Sequence, residues 1–70
     1  MTPDQLAEAG RLLFGVRWVS ELARAVGVDN RTVVRWRDGA YPVPPKKAGR
    51  IRDLLQQRSE KIAEMLQKQD

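Results

Sequence analysis

Hydrophobic residues recur at helical spacing along most of the chain. Apolar side chains three or four residues apart lie on one face of a helix, and four stretches show such a face. Their apolar members are Leu6, Leu13 and Phe14, then Leu22, Ala23 and Val26, then Val33 and Trp36, and finally Ile51, Leu54 and Leu55. The pattern predicts an all-α fold, a small bundle of four to five helices with a long C-terminal helix.

The stretch from Leu22 to Gly39 contains two short predicted helices and a tight corner. Gly27 supplies a backbone conformation that few side chains tolerate, and Asp29 is a natural N-cap for the helix that follows. Gly39 is expected to end that helix. The stretch therefore predicts a helix-turn-helix.

The segments on either side have equally clear signals. Thr2 and Pro3 are typical of a helix start, and Gly15 is expected to end this first helix. Beyond the motif, three prolines between residues 42 and 45 forbid a helix, and Tyr41 and Val43 are expected to pack back on the bundle. The last helix, from there to near residue 69, would span about 36 Å, which is longer than so small a domain is wide.

Composition excludes several classes of site. The 70 residues include no cysteine and no histidine, so disulfides, thiolate metal sites and the commonest zinc ligand are excluded. The scattered carboxylates form no catalytic constellation, and we expect no enzyme activity, no cofactor, no bound metal and no small-molecule ligand. Without a long apolar run or a charged leader, we also expect no membrane span and a cytoplasmic location.

The positive charge lies on the middle of the chain. The formal net charge is +4, and residues 17–52 contain nine basic and three acidic residues. This basic segment coincides with the predicted helix-turn-helix, as in a nucleic-acid binder. Solvation of a helical surface is the alternative interpretation of the basic residues.

The second helix of the motif carries the candidate base-reading surface. With Val33 and Trp36 turned inward, the opposite face holds four residues. These predicted DNA base contacts are Asn30, Arg31, Val34 and Arg35. Arginine binds guanine through two acceptors, asparagine pairs with adenine in the same bidentate way, and valine meets a thymine methyl.

Flanking positions are candidates for DNA phosphate contacts, which position a protein without reading sequence. They are Arg17, Trp18 and Ser20 at the start of the preceding helix, Thr32 and Arg37 beside the reading surface, and Lys46 and Lys47 at the start of the last helix. Core packing is an equal alternative for the Trp18 ring, as is solvation for the lysines.

The last helix carries an apolar patch beyond the reach of the other helices, and such patches in small proteins usually mark an interface. The candidate dimerisation residues are Leu55, Ile62, Met65 and Leu66. We therefore divide the chain into a DNA-binding domain, residues 1–56, and a C-terminal helix extension for dimerisation, residues 57–70. A frayed, solvated end is the alternative for the extension.

The run from Leu22 to Gly39 resembles the phage-repressor or Cro-like helix-turn-helix family, also called XRE-type. The matching residues are Leu22 and Ala23, Val26 to Val28, Arg31 to Val33, Arg35 and Trp36, and Gly39. The positions that the resemblance assigns to base reading are Asn30, Arg31 and Arg35. Val19 and Arg37 depart from the family, many of whose members have glutamine and glutamate there.

The resemblance and the short chain imply a regulator without a ligand-sensing domain. We expect an autoregulatory transcriptional repressor of the phage or mobile-element type, such as an anti-CRISPR-associated regulator. It would bind an inverted repeat in double-stranded DNA as a homodimer, through the major groove. The alternative is an antitoxin-like module whose last helix binds a partner protein.

Overall fold

The computed structural model describes residues 1–69, and these residues are helical apart from short connections. The elements are α1 (Pro3–Phe14), a 3-10 turn (Gly15–Arg17), α2 (Trp18–Val26), α3 (Asn30–Arg37) and α4 (Pro45–Gln67). No β-strand occurs in this part of the chain, so the predicted all-α class is confirmed. Asp70, the last residue of the predicted extension 57–70, lies outside the described residues.

α1 begins and ends at the residues whose chemistry predicts its bounds. The Thr2 hydroxyl accepts a hydrogen bond from the Gln5 amide at 3.1 Å, and the Gln5 side chain accepts one from the Thr2 amide at 2.9 Å. This reciprocal pair is a capping box, which satisfies two amides that have no partner within the helix. After the last turn, Gly15 has a φ of 73°, which favours glycine.

One hydrophobic core lies between α1, α2, α3 and the first half of α4. Its fully buried side chains are Leu6, Leu22, Val33 and Ile51. Trp18 joins them with 6% exposure, and its ring lies against Gly10 of α1. A Cβ at Gly10 would be only 2.6 Å from Trp18 Cδ2, so α1 and α2 approach this closely because residue 10 has no side chain.

α4 packs on the core with its first half only. Ala48 and Ile51 are buried and Leu55 is half-buried, whereas every residue from 56 to 69 is exposed. The 23 residues of α4 span about 34 Å, and the molecule measures 46 × 23 × 20 Å. The second half of α4 therefore projects from the bundle.

Two cations of α4 bind the carboxyl ends of the earlier helices. Arg58 Nη2 donates a hydrogen bond to the Leu13 carbonyl of α1. Lys47 Nζ donates one to the Val26 carbonyl of α2 at 2.7 Å. The last carbonyls of a helix have no partner within it, and they attract positive charge, so both bonds stabilise the position of α4.

Candidate nucleic-acid interface

A three-residue turn joins α2 to α3, and its direction follows from Gly27. This residue ends α2 in the left-handed conformation, with φ 76° and ψ 37°, where a side chain would be strained. The next amide, that of Val28, donates to the Ala23 carbonyl at 3.0 Å. The chain thus reverses direction within one turn of the end of α2.

Asp29 is the N-cap of α3, as predicted. Its carboxylate accepts hydrogen bonds from the Thr32 amide at 2.8 Å and from the Thr32 hydroxyl at 2.6 Å. These bonds, assisted by the nearby charges of Arg31 and Arg35, hold the pKa of the Asp29 carboxyl below its usual value. Thr32, a predicted phosphate contact, is therefore engaged in capping the helix.

α3 has one buried face and one exposed face. Val33 is fully buried and Trp36 is 4% exposed, which confirms their predicted inward position. On the opposite side Arg31 and Arg35 are exposed and Val34 is half-buried. We call these three residues the α3 surface; they lie together because residues three and four apart share a helix face.

The arginines of the α3 surface are not neutralised by acidic side chains. Within the described residues, neither Arg31 nor Arg35 forms a salt bridge with a carboxylate. α3 has eight residues, and an α-helix with its side chains is about 10–12 Å across, so it fits the major groove, which is about 12 Å wide. The surface thus offers two unpaired guanidinium groups and an aliphatic side chain on a rod of suitable size.

Asn30, the fourth predicted base contact, is bound to α2. Its Nδ2 donates a hydrogen bond to Ser20 Oγ at 3.0 Å, and both side chains are exposed. The bond uses one of the two N–H donors of the amide. The other N–H and the carbonyl oxygen remain, and these are the groups that a bidentate adenine contact requires. Ser20, predicted to contact phosphate, is therefore placed to orient Asn30.

Tyr41 lies beside the α3 surface and was missed as a site residue by sequence reasoning. Its side chain is 57% exposed, so the expectation that it packs back on the bundle is wrong, while Val43 does pack on the core. The ring lies 5.7 Å from Arg35 Cζ, measured to the ring centroid. An aromatic residue four positions after the end of a basic helix was the available signal for this contact.

The remaining predicted phosphate contacts differ in whether their side chains are already bonded or buried within the protein. Arg17 and Lys46 are exposed. Arg37 is paired through Nε with the Asp38 carboxylate at 3.0 Å, and Lys47 is bound to the Val26 carbonyl. Trp18 is buried against Gly10, so its position favours the core-packing alternative.

The predicted dimerisation residues lie on one face of α4. Ile62, Met65 and Leu66 are 53%, 50% and 66% exposed, and Leu55 is half-buried where the core ends. Leu12 of α1, also exposed, lines a shallow groove with Leu55 and Ile62, which sequence reasoning missed. The sequence signal for this contact was that Leu12 is apolar but does not belong to the inward-facing apolar residues of α1. We call these five residues the α4 patch.

The comparisons with known proteins add no assignment. No protein-family model, curated protein or solved structure matches this chain. The resemblance to the phage-repressor family therefore stays a prediction from the residues that carry it. None of the helices within residues 1–69 combines the length and the apolar character that a membrane span requires.

Proposed function

We propose that this protein is a sequence-specific transcriptional repressor that binds double-stranded DNA through α3. The observation that carries the proposal is the α3 surface, where Arg31 and Arg35 lie exposed on either side of Val34. This surface belongs to a helix whose other face is fixed in the core. A rigid helix with unpaired arginines suits the major groove, where arginine binds guanine O6 and N7.

The arrangement of α2 and α3 supports a helix-turn-helix interpretation. In such motifs the second helix enters the major groove while the first crosses the DNA backbone. Here the turn is fixed by Gly27 and the start of α3 by Asp29. Arg17 and Lys46 are exposed and serve in this proposal as phosphate contacts, which add affinity for any DNA sequence.

The α4 patch supports homodimerisation in this proposal. An inverted repeat presents two identical half-sites, and a two-fold dimer would set two recognition helices about 34 Å apart. The patch is the natural contact, because Ile62, Met65 and Leu66 continue the stripe of α4 that is buried in the core and lie where α4 projects. Repression would follow from occlusion of a promoter, its own gene being the first candidate.

Selection of duplexes from a random library, followed by fluorescence anisotropy, tests the proposal. The selected duplex and a scrambled duplex of equal length are compared at about 0.15 M salt. We expect a preference of about 10³ or more and two protomers per duplex. Equal, weak binding to both duplexes would leave only the general attraction of a basic protein for DNA and would refute sequence-specific repression.

Variants of the α3 surface locate the reading residues. Arg31→Ala and Arg35→Ala should each relax the preference for one base pair, at a cost of about 1–3 kcal/mol on the selected duplex. Lys46→Ala should weaken binding to all duplexes alike and reduce the salt dependence. Arg52→Ala, which removes the same charge from an exposed position on α4, is the control and should leave base preference unchanged. Uniform loss in all four variants would show that the reading surface is wrongly assigned.

Two adjacent positions of α4 test the dimer. Ile62→Lys places a charge in the α4 patch, whereas Ala63→Lys places the same charge on the neighbouring, exposed position. In analytical ultracentrifugation we expect the Ile62 variant to be monomeric and the Ala63 variant to remain dimeric. Equal effects of the two changes, or a monomeric parent protein on and off DNA, would refute the α4 dimer.

A second function is favoured by the same patch. A half-exposed row of Ile62, Met65 and Leu66 also suits an antitoxin-like module whose last helix covers a partner protein. The two functions are separated by the oligomeric state. A monomer that shows no base preference, and that binds the product of a neighbouring gene only with Ile62 intact, would favour the module.

A further inference from the structure

The Arg35 side chain lies next to an aromatic residue outside the helices. Tyr41 follows α3 in the connection to α4, and its ring centroid lies 5.7 Å from Arg35 Cζ. A guanidinium within about 6 Å of a ring face is attracted by the ring's electron-rich surface. The contact lies at the protein surface, since Arg35 is exposed and Tyr41 is 57% exposed.

Backbone hydrogen bonds hold Tyr41 beside Arg35 independently of the side-chain contact. The Ala40 and Tyr41 amides both donate to the Arg35 carbonyl, at 2.9 Å and 3.4 Å. Gly39, with a φ of 79°, turns the chain back over the last turn of α3. The backbone of Tyr41 is thus hydrogen-bonded to the backbone of Arg35, the residue whose guanidinium lies near the Tyr41 ring.

The residue after Tyr41 and a nearby groove further define its surroundings. Pro42 restricts the backbone of Tyr41 to extended conformations. Tyr41 lines a shallow groove together with Pro3, Trp36 and Val43, so the ring borders the edge of the core. The backbone of Tyr41 is therefore restricted both by its hydrogen bond to the Arg35 carbonyl and by Pro42.

We propose that Tyr41 is a specificity-determining residue that positions the Arg35 guanidinium for guanine. This inference rests on the proposed DNA-binding function. Contact with the ring removes conformations in which the long Arg35 side chain points away from DNA, so less freedom is lost on binding. Arg35 Cζ lies over the ring and the guanidinium forms no salt bridge with a carboxylate within the described residues, so its N–H groups are available for the bidentate contact that arginine makes with guanine. Arg31, without such a neighbour among the described residues, has no comparable support.

The free protein provides the first test. In NMR spectra, the Arg35 side-chain protons should show an upfield ring-current shift in the parent protein and in Tyr41→Phe, and the shift should disappear in Tyr41→Leu. Arg31 protons are the internal control and should not move. An unshifted Arg35 in the parent protein would overturn the contact, whatever the protein binds.

Binding to the selected duplex provides the second test. Tyr41→Leu should weaken binding to that duplex by about 2- to 5-fold, with little change on the scrambled duplex, and Tyr41→Phe should retain parent affinity. In the Arg35→Ala background, Tyr41→Leu should have no further effect. A loss shared by both duplexes, or one that persists without Arg35, would overturn the positioning role. Loss in Tyr41→Phe would show instead that the phenol hydroxyl itself contacts DNA.

The two proposals fail in different ways. If the parent protein selects no duplex, the proposed function is refuted and the positioning role with it, although the NMR shift still reports whether the contact exists. If the parent protein selects a duplex and Tyr41→Leu binds it as well as the parent does, only the role of Tyr41 is refuted.

Discussion

Replacing Gly10 with alanine tests how closely α1 packs on α2. A Cβ at this position would lie 2.6 Å from Trp18 Cδ2 and closer still to Cε3, well short of the 3.4 Å at which ordinary contact begins. The Trp18 ring is 6% exposed and is surrounded by core side chains. Because the ring is part of this packed core, we expect that the helices must separate or the ring must strain to relieve the overlap.

The expected size of the effect follows from two opposing contributions. Alanine in place of glycine within a helix stabilises a protein by about 1 kcal/mol, whereas overpacking a core costs about 1–3 kcal/mol and occasionally more. The overlap here is with a fixed ring rather than with a flexible side-chain end, so we expect the upper part of that range and a net loss of about 2 kcal/mol. For a domain of this size that corresponds to a decrease in Tm of about 10 °C.

Urea and thermal unfolding, followed by circular dichroism and tryptophan fluorescence, measure this loss. Gly49→Ala is the matched control, because Gly49 lies in α4 and a Cβ there would have no neighbour within 4 Å. That variant should gain up to about 1 kcal/mol. A Gly10→Ala variant as stable as Gly49→Ala would refute the packing of the ring on α1. Trp18→Phe should reduce the cost of Gly10→Ala, since the smaller ring relieves the overlap.

Two further predictions concern the ends of helices. The folded pKa of Asp29 is lowered by its bonds to Thr32, so its contribution to stability is present above the unfolded pKa of about 4 and is lost as the pH falls through the folded value. Urea unfolding at pH 7 and pH 3 should show this loss, and Asp29→Asn should lack this part of the pH dependence. Lys47→Met removes the bond to the Val26 carbonyl and should lower the free energy of unfolding by about 1 kcal/mol. Lys46→Met, at the exposed neighbouring position, is the control and should leave the free energy of unfolding unchanged. Equal losses in the two variants would contradict the role of Lys47.

Local chemistry was sufficient to predict most of the helix ends. Thr2, Gly15, Gly27 and Asp29 act on residues within one turn of themselves, so each effect can be read from the sequence alone. The inward faces of α2 and α3 could be predicted equally well, because helical periodicity alone places residues such as Val33 and Trp36 on the inward face.

Contacts between distant residues could not be predicted in this way. Lys47 and Arg58 meet carbonyls 21 and 45 residues away, and Asn30 meets Ser20 on another helix. Each contact depends on the angle and separation of two helices, which a pattern within one helix does not contain. For Tyr41 the expectation of packing was reasonable for an aromatic residue, but the chain that follows Gly39 is hydrogen-bonded to the Arg35 carbonyl and leaves Tyr41 exposed, a course that depends on contacts between the loop and α3.

The two cations of α4 should also couple the opening of three helices. Lys47 and Arg58 bind the ends of α2 and α1 from a single helix, so α4 cannot move away without breaking both bonds. Amide hydrogen exchange in the last turns of α1 and α2 should therefore follow the opening of α4 rather than the fraying of each helix alone. Segments far apart in sequence would then exchange at a common rate, and the exposed end of α4 would exchange faster than either.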